Sequence, residues 1–367
     1  MATRLGARFT ERGLRPRVPG EPAEWHHALA AYNDPMNPTA RSSALPVAAP
    51  APSLPAGLTV EEAIRIAEAI DATHAESTRT VYACMWNQWE RWCRTRGVAP
   101  MPAAPALICA YLTERAGTGV AVGTLDMDCG AISYLHRRHG LDDPILSEGV
   151  RQVRRGLRRL VGAAPRRQAR PLQTNDVRAI VTAIDRANPK GARDAAIILL
   201  GFASALRRSE LAALVVGDVD FQPGGIIVTV HRSKSDQDGE GQRVAVVHGQ
   251  HAVTDPVAAV NAWLELRGRD PGPLFTSLRR RRVSLDPISG QAIAIALRNR
   301  ARDAGYDAQR ITPHSLRAGH ATSAAVAGVS LDRIAAQTRH KRLSTLLERY
   351  IRPAQALDYT SSRDLGL

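Results

Sequence analysis

Residues 339–362 read RHKRLSTLLERYIRPAQALDYTSS. Two tyrosines, Tyr350 and Tyr359, stand nine residues apart here, one inside the helix-like run STLLERY and the other followed by TSSRD. A tyrosine hydroxyl, with a pKa near 10, is a weak nucleophile at neutral pH unless its neighbours assist it. Whether either tyrosine is more than a surface aromatic depends on which charged residues the rest of the chain supplies, and that question decides how the whole sequence is read.

With 367 residues, 44% of them hydrophobic, the chain can bury a sizeable core and is expected to form two domains. Its formal charge is +14, from 49 Lys+Arg against 35 Asp+Glu. Such an excess favours a polyanionic partner, although a ribosome-associated protein or a basic carbonyl-binding enzyme carries a similar balance. Nearly all the cations are arginine; Lys190, Lys234 and Lys341 are the only lysines. The cysteines Cys84, Cys93, Cys109 and Cys129 form no C-x-x-C pair, which argues against a zinc finger and a disulfide scaffold. His136 and His139, in YLHRRHG, are read as a wet, basic helix end rather than a metal site. With no signal-peptide pattern and no apolar run of membrane-spanning length, a cytoplasmic, nucleoid-associated protein without membrane contact is expected.

Residues 1–55 are rich in Pro, Ala and Arg with little period, and read as a flexible extension. Residues 56–160 read as all helical. LTVEEAIRIAEAIDATHA carries helical apolar spacing, and STRTVYACMWNQWERWCRTRG opens with a serine cap signal and closes at Gly97. APALICAYLTERAG and AVGTLDMDCGAISYLHRRHGL are two further helices, and Trp86, Trp89 and Trp92, three apart, read as a core stripe.

Between 151 and 170 lie eight arginines and no acidic residue. Arg151, Arg154, Arg155, Arg158 and Arg159 recur at helical spacing and make one charged face, followed by Arg166 and Arg167 in a basic linker over 161–173 broken by Gly162, Pro165 and Pro171. A stripe of one sign repels itself unless something negative lies along it, so these seven arginines are expected to contact duplex phosphates.

Residues 174–355 read as a second, mostly helical domain. GARDAAIILLGFASALRRSELAALVVGDVDF is taken as helical, and GGIIVTVHRSKSDQDGEGQRVAVVHG as strand, polar turn and strand. DPVAAVNAWLELRG, SGQAIAIALRNRARDAG, TPHSLRAGHATSAAVAGV and SLDRIAAQTRH are further helices. Arg207 falls in SALRRSELAAL, Lys234 beside the hairpin turn, and His314 and Arg317 in HSLR, where a spacing of three puts both on one helical face. His340 ends AQTRH, ahead of Tyr350. Each signal alone is weak; their order fits a phosphoryl-transfer site with a tyrosine nucleophile.

In that order the chain resembles the tyrosine recombinases of the phage integrase family. Members carry an arginine in an L-R-x-x-E-L box, a hairpin lysine, an H-x-x-R box, a late His or Trp, and a nucleophilic tyrosine. The corresponding positions here are Arg207 with Glu210, Lys234, His314, Arg317, His340 and Tyr350. HRRHGLDDPILSEGVRQVRRGLRR likewise resembles the end of the family's helical core-binding domain. The resemblance implies a mainly α fold: a helical core-binding domain over 56–160 and a mostly helical catalytic domain with a small β-sheet over 174–355. A tail over 356–367 is expected to pack on a neighbouring protomer. Members commonly have nine positions from the late His to the Tyr, whereas His340 to Tyr350 is ten, and the extra residue is expected near KRLST. Tyr359, further out, is read as a structural or surface residue.

The implied reaction is site-specific recombination through a 3′-phosphotyrosyl link. Arg207 and Arg317 would clamp the phosphate, Lys234 protonate the leaving 5′-oxygen, His314 handle the tyrosine proton, His340 donate a hydrogen bond, and Glu210 orient a basic neighbour. No metal or other cofactor is implied. The implied partners are double-stranded DNA with inverted repeats and three further copies of the chain, in a tetramer formed on synapsed DNA from monomeric or weakly associated protein. A type IB topoisomerase-like or telomere-resolving enzyme, and a DNA-binding protein whose site has decayed, stay open as alternatives.

Overall fold

A computed structural model describes residues 57, 59–71, 73, 75–162, 169–231, 241–280, 282–340, 342–351 and 365. Lys234, Arg166, Arg167, Tyr359, the N-terminal extension and nearly all of the tail lie outside them. The chain divides into two compact units between Arg166 and Arg167. Among the described residues no helix is long and apolar enough to cross a membrane.

The first unit is helical: α1 Val60–Asp71, α2 Glu76–Thr95, α3 Pro105–Gly117, α4 Val122–Arg138 and α5 Glu148–Val161. Helix α2 packs against α4, and α3 against α5. The tryptophan stripe is core, as its spacing suggests: Trp89 stacks on Trp92 at 5.4 Å, and Tyr111 meets both edge-on. Both indole N–H groups are satisfied, by Pro100 O and by Glu114 Oε2, as buried tryptophans require. The serine cap is not used; α2 starts at Glu76 after Ala75, with Ser77 inside its first turn. Proline at the start of α3 supplies no N–H where none is needed, and the Ser147 hydroxyl caps α5 by accepting from Val150 N–H.

The reading of His136 fails as well. His136 is not wet: it is buried, its Nε2 accepts the Ala103 N–H at 2.8 Å, and its Nδ1 reaches Ile132 O at 2.8 Å. Burial holds its pKa below the ordinary histidine value, so it is a neutral core strut. The arginine stripe has acidic neighbours within the unit. Arg154 and Arg158 both reach Asp126 of α4 at 2.8 Å, and Arg151 and Arg155 flank Glu148 at the start of their own helix.

The second unit is built on α7 (Pro189–Ala203), every residue of which from Gly191 to Gly201 is buried. Around it lie α6 (Thr174–Thr182), α9 (Pro256–Arg267), α10 (Gly290–Asp303) and α11 (Pro313–Val326). Strands β1 (Val219–Gln222), β2 (Gly225–Val230) and β3 (Gln242–Val247) form an antiparallel sheet in that order, with Val228 opposite Val219 and Val244. A separate hairpin joins β4 (Thr276–Arg279) to β5 (Arg282–Pro287). Helices α12 (Leu331–Thr338) and α13 (Leu343–Leu346) follow, and α13 runs into a π-helical turn over Leu347–Ile351.

The long run 191–221 is not continuously helical. Helix α7 stops at Ala203, Ala205 takes a left-handed φ of 49°, and the short α8 begins only at Arg208 and ends at Ala213. Its last residues form β1. Nothing in Ser-Ala-Leu forbids a helix; the break is held from elsewhere, because the Ala205 carbonyl accepts a 2.7 Å hydrogen bond from Arg317. Arg207 therefore sits not within a helix but in extended conformation at the start of α8.

Candidate active site

Helix α8 starts where the Glu210 side chain turns back to accept the Arg207 backbone N–H at 2.8 Å, a local capping bond that Glu three residues into a helix commonly makes. The same carboxylate, buried and almost wholly out of solvent, accepts Arg207 Nη1 at 2.7 Å through its other oxygen. Glu210 thus fixes both the backbone and the head of Arg207. A third donor also reaches it: Arg339 Nη2, at 2.6 Å. Sequence reading missed Arg339. Arg339 ends α12 with left-handed φ 54° and ψ 47°, a position where glycine is the residue of least strain.

Helix α11 begins at Pro313 after Thr312, whose backbone N–H is accepted by the Ser315 hydroxyl. One turn in, Arg317 is 2% exposed and points inward, its Nη1 on Ala205 O and its Nη2 on Thr338 O. Burial, then the nearby Arg207 and Arg339 cations, bring its guanidinium down to about 10. The helix can sit this close to the preceding chain only because of Gly319. A Cβ there would come within 1.8 Å of Leu172 O, and Leu172 N–H bonds to Ser315 O at 3.0 Å.

Helix α12 is held against β3 and the end of α7 by Gln337, whose Nε2 donates to Ala203 O and Ala245 O. The Thr338 hydroxyl donates to Ile334 O at 2.6 Å, and His340 Nδ1 stands 2.7 Å from the same Thr338 oxygen. The hydroxyl hydrogen being committed, Nδ1 carries the hydrogen of that second bond, and Nε2 is the nitrogen left to gain a proton. Burial, then the charges of Arg317 and Arg207, with His314 and Arg339 adding to them, drive His340 down to about 4. The ring is neutral at pH 7.

Tyr350 packs its ring into a small cluster with Ala318, Ala321, Ala325, Ile334 and Leu346 and is 8% exposed. Its hydroxyl meets His314 Nε2 at 2.8 Å, and its ring centroid lies 5.9 Å from that of His314 and 5.5 Å from that of His340. Tyr350 lies in a π-helical turn over Leu347–Ile351 that follows α13. A turn closed by i→i+5 hydrogen bonds holds one residue more than an α turn, and such turns concentrate at functional sites.

Five of the six residues anticipated for the chemistry, with Glu210, therefore converge: Arg207, His314, Arg317, His340 and Tyr350. Lys234, in the sequence between β2 and β3, lies outside the described residues. Of the seven arginines expected on phosphates, Arg151, Arg154, Arg155, Arg158 and Arg159 belong to the first unit. Chemically the site offers a buried-ring phenol with a histidine at its hydroxyl and three guanidinium groups against one carboxylate, an arrangement suited to a tetrahedral oxyanion. Among the described residues no three His, Cys, Asp or Glu side chains are grouped so as to hold a metal ion.

Known proteins agree with this reading of the class. Residues 170–356 match the Phage integrase family. An integrase/recombinase xerD homolog of Selenomonas ruminantium is 32% identical over 286 residues, 77% of this chain and 83% of its own length. The recombinase cre of Escherichia phage P1 is 27% identical over 71% of this chain and 79% of its own. Among solved structures, a lambda integrase tetramer bound to a Holliday junction is similar in fold, with a TM-score of 0.52 at 17% identity, covering 76% of this chain and 74% of the other. The chain belongs to the phage integrase family, and its enzyme class is that of the tyrosine recombinases.

Proposed function

We propose that Tyr350 cleaves DNA by attack on a scissile phosphodiester, leaving a 3′-phosphotyrosyl link and a free 5′-hydroxyl. The observation that carries this is the 2.8 Å contact of the Tyr350 hydroxyl with His314 Nε2 beside the Arg207–Glu210–Arg339 cluster and buried Arg317. Tyr350 Oη forms a bond to phosphorus, its proton passes to His314 Nε2, and the bond from phosphorus to the 5′-oxygen breaks. Lys234 supplies the proton to that oxygen. A lysine suits the task because its pKa can be tuned, whereas arginine holds its proton too tightly.

Arg207 and Arg317 bind the non-bridging oxygens and stabilise the charge that grows in the pentavalent transition state. His340 has a further condition on its role. As a neutral ring with Nδ1–H on Thr338 it has no hydrogen at Nε2 to donate, so it becomes a donor only when the phosphate's charge raises its pKa. Because the phosphotyrosyl link conserves the phosphodiester, attack by another strand's 5′-hydroxyl rejoins the DNA without an energy source.

The whole reaction on this reading is exchange of strands between two short inverted-repeat duplex sites through a Holliday junction, by four copies assembled on DNA. The similarity to recombinases over most of the chain supports it. The protein acts in the cytoplasm, at the nucleoid, and is monomeric or weakly associated when free. Residues 56–160 serve as the core-binding domain, 161–173 as linker and 174–355 as catalytic domain; 1–55 precede these as an extension, and 356–367 dock on a neighbouring copy. Arg151, Arg154, Arg155, Arg158, Arg159, Arg166 and Arg167 contact the DNA backbone, exchanging Asp126 and Glu148 for phosphates where they are paired.

The test is to select duplexes from a random-sequence pool, quench with detergent and map the protein–DNA adduct by peptide mass spectrometry. A 3′-phosphate on Tyr350, with recombination between two labelled sites, supports the proposal. An adduct on Tyr359 overturns the nucleophile assignment, and DNA binding without any adduct favours a decayed, binding-only protein. Relaxation without exchange favours a topoisomerase.

A further inference from the structure

The residues that bind the phosphate in this proposal leave one buried cation unexplained. Arg339 is nearly devoid of exposure, with 4% of its side chain accessible, and among the described residues only its Nη2 has a bond, to Glu210 Oε2 at 2.6 Å. Its Nε and Nη1 have no hydrogen-bond partner among the described residues. A buried guanidinium with unmet donors is costly, because each loses its hydrogen bonds to water and gains none in return. Its backbone is left-handed, at φ 54°, a conformation that a residue with a Cβ adopts only at a further cost. Two penalties at one residue, only partly met by its bond to Glu210, point to a ligand that offsets them.

The surroundings say what charge that ligand has. Arg207, Arg317 and Arg339 face a single carboxylate, Glu210, and the two bonds of Arg317 go to uncharged carbonyls. The cluster therefore lacks negative charge. With His340, Arg339 lines a cleft whose other walls include Gln242 and the exposed Arg243.

We propose that Arg339 is a positioning residue of the cleavage reaction: through Glu210 it fixes the head of Arg207, and it holds the buried cluster short of the negative charge that a DNA phosphate brings. It couples the end of α12, which carries His340, to the start of α8, which carries Arg207. Arg207 and Arg339 share one carboxylate oxygen pair, so loss of Arg339 lets Glu210 turn and Arg207 turn with it. The inference rests on the assignment of this cluster to the scissile phosphate.

The test uses Arg339→Gly and Arg339→Lys in the full chain. Glycine is the residue best suited to a left-handed φ, so Arg339→Gly removes the guanidinium without straining the backbone. Single-turnover formation of the Tyr350 adduct is followed on a nicked duplex of selected sequence, with DNA affinity measured separately and thermal melts run in parallel. Arg339→Gly is expected to slow cleavage on the order of 10²-fold while the Kd for DNA changes by less than about 3-fold. Added guanidinium ion at tens of millimolar should restore part of the rate, an effect that a merely structural role does not produce. Arg339→Lys keeps the charge but not the fork and should stay at least about 10-fold slow.

Cleavage by both variants within about 3-fold of wild type overturns the inference while leaving Tyr350 as the nucleophile. So does a slow Arg339→Gly enzyme that melts normally yet is untouched by guanidinium. If Arg339→Gly fails to fold, Arg339→Lys decides: wild-type cleavage refutes the positioning role, and slow cleavage at normal affinity and melting supports it. Absence of any Tyr350 adduct with the wild-type protein is a failure of the cleavage reading itself, and takes the inference with it.

Discussion

The hydroxyl of Tyr350 lies 2.8 Å from Nε2 of His314, thirty-six positions earlier in the chain, across the junction of the π-helical turn with the first turn of α11. The contact puts a proton acceptor where a phenol needs one. Tyr350→Phe is expected to abolish the covalent DNA adduct and leave DNA affinity within about 3-fold of wild type. His314→Gln should slow adduct formation by about 10²–10⁴-fold, the usual worth of a positioned acid–base group. Denaturing gels of single-turnover reactions measure both.

His340 gives a pH signature. Its pKa in the folded protein is about 4, below the ordinary 6.5, because burial and surrounding cations disfavour the charged ring. The unfolded chain therefore takes up this proton more readily than the folded one. The stability that neutral His340 contributes is complete above about pH 6.5 and is lost progressively as the pH falls through the interval down to about 4. An NMR titration of the ring should show its midpoint near 4 in free protein and a clear upward move once DNA phosphate is bound. A midpoint near 6.5 without DNA would refute the assignment of a desolvated, cation-flanked ring.

Gly319 sets how closely α11 approaches the chain at Leu172, since a Cβ would fall 1.8 Å from Leu172 O. Backbone cannot yield as a flexible side chain can. Gly319→Ala should destabilise the second unit by about 3 kcal/mol, lowering its melting temperature by about 6–12 °C in a unit of this size, as calorimetry would record. Cleavage should fall with it, because Arg317 and His314 ride on the displaced helix.

If the π-helical turn absorbs the tenth residue, deleting the exposed Glu348 should convert Leu347–Ile351 into ordinary α-helix with Tyr350 still facing His314. Adduct formation should then remain within about 10-fold of wild type. If instead the loop before α13 absorbs the extra residue, the deletion rotates the tyrosine by about 100° and abolishes the adduct.

For the arginine face of α5, replacing Arg154, Arg155, Arg158 and Arg159 together should lower the slope of log K against log salt by as much as about 3.6, near 0.9 for each phosphate that is no longer neutralised. The ion pairs with Asp126 and Glu148 are solvent-facing, so exchanging them for phosphates costs little, about 0–1 kcal/mol each. An unchanged slope would remove these arginines from the DNA-binding surface.

Much of the helical framework could be read from the chain. The helices α2 to α5 and α9 to α12 carry apolar periods bounded by Pro, Ser, Asp or Gly, and local chemistry suffices to start and stop them. The pairing of β2 with β3 followed from valine-rich runs on either side of a polar turn. What failed to show was set by distant contacts. The break after α7 runs through Ser204, Ala205 and Leu206, all compatible with a helix, and is held by Arg317 of α11. The β4–β5 hairpin is obscured because its turn region is arginine-rich rather than marked by Asn-Gly. His136 looked wet because its sequence neighbours are charged; Ala103, thirty-three positions away, buries and satisfies it.

The sequence by itself determined the order of the basic, histidine and tyrosine residues, the helices that carry most of them, and the cationic balance that calls for a polyanion. These depend on residue type and on spacings of three and four, which operate within one or two turns. Only the tertiary structure decided which of those side chains meet. Arg339 and Glu210 are 129 positions apart, and the bond between them is invisible to any local pattern. The low pKa of His340 is equally non-local, because desolvation depends on what surrounds a residue in space.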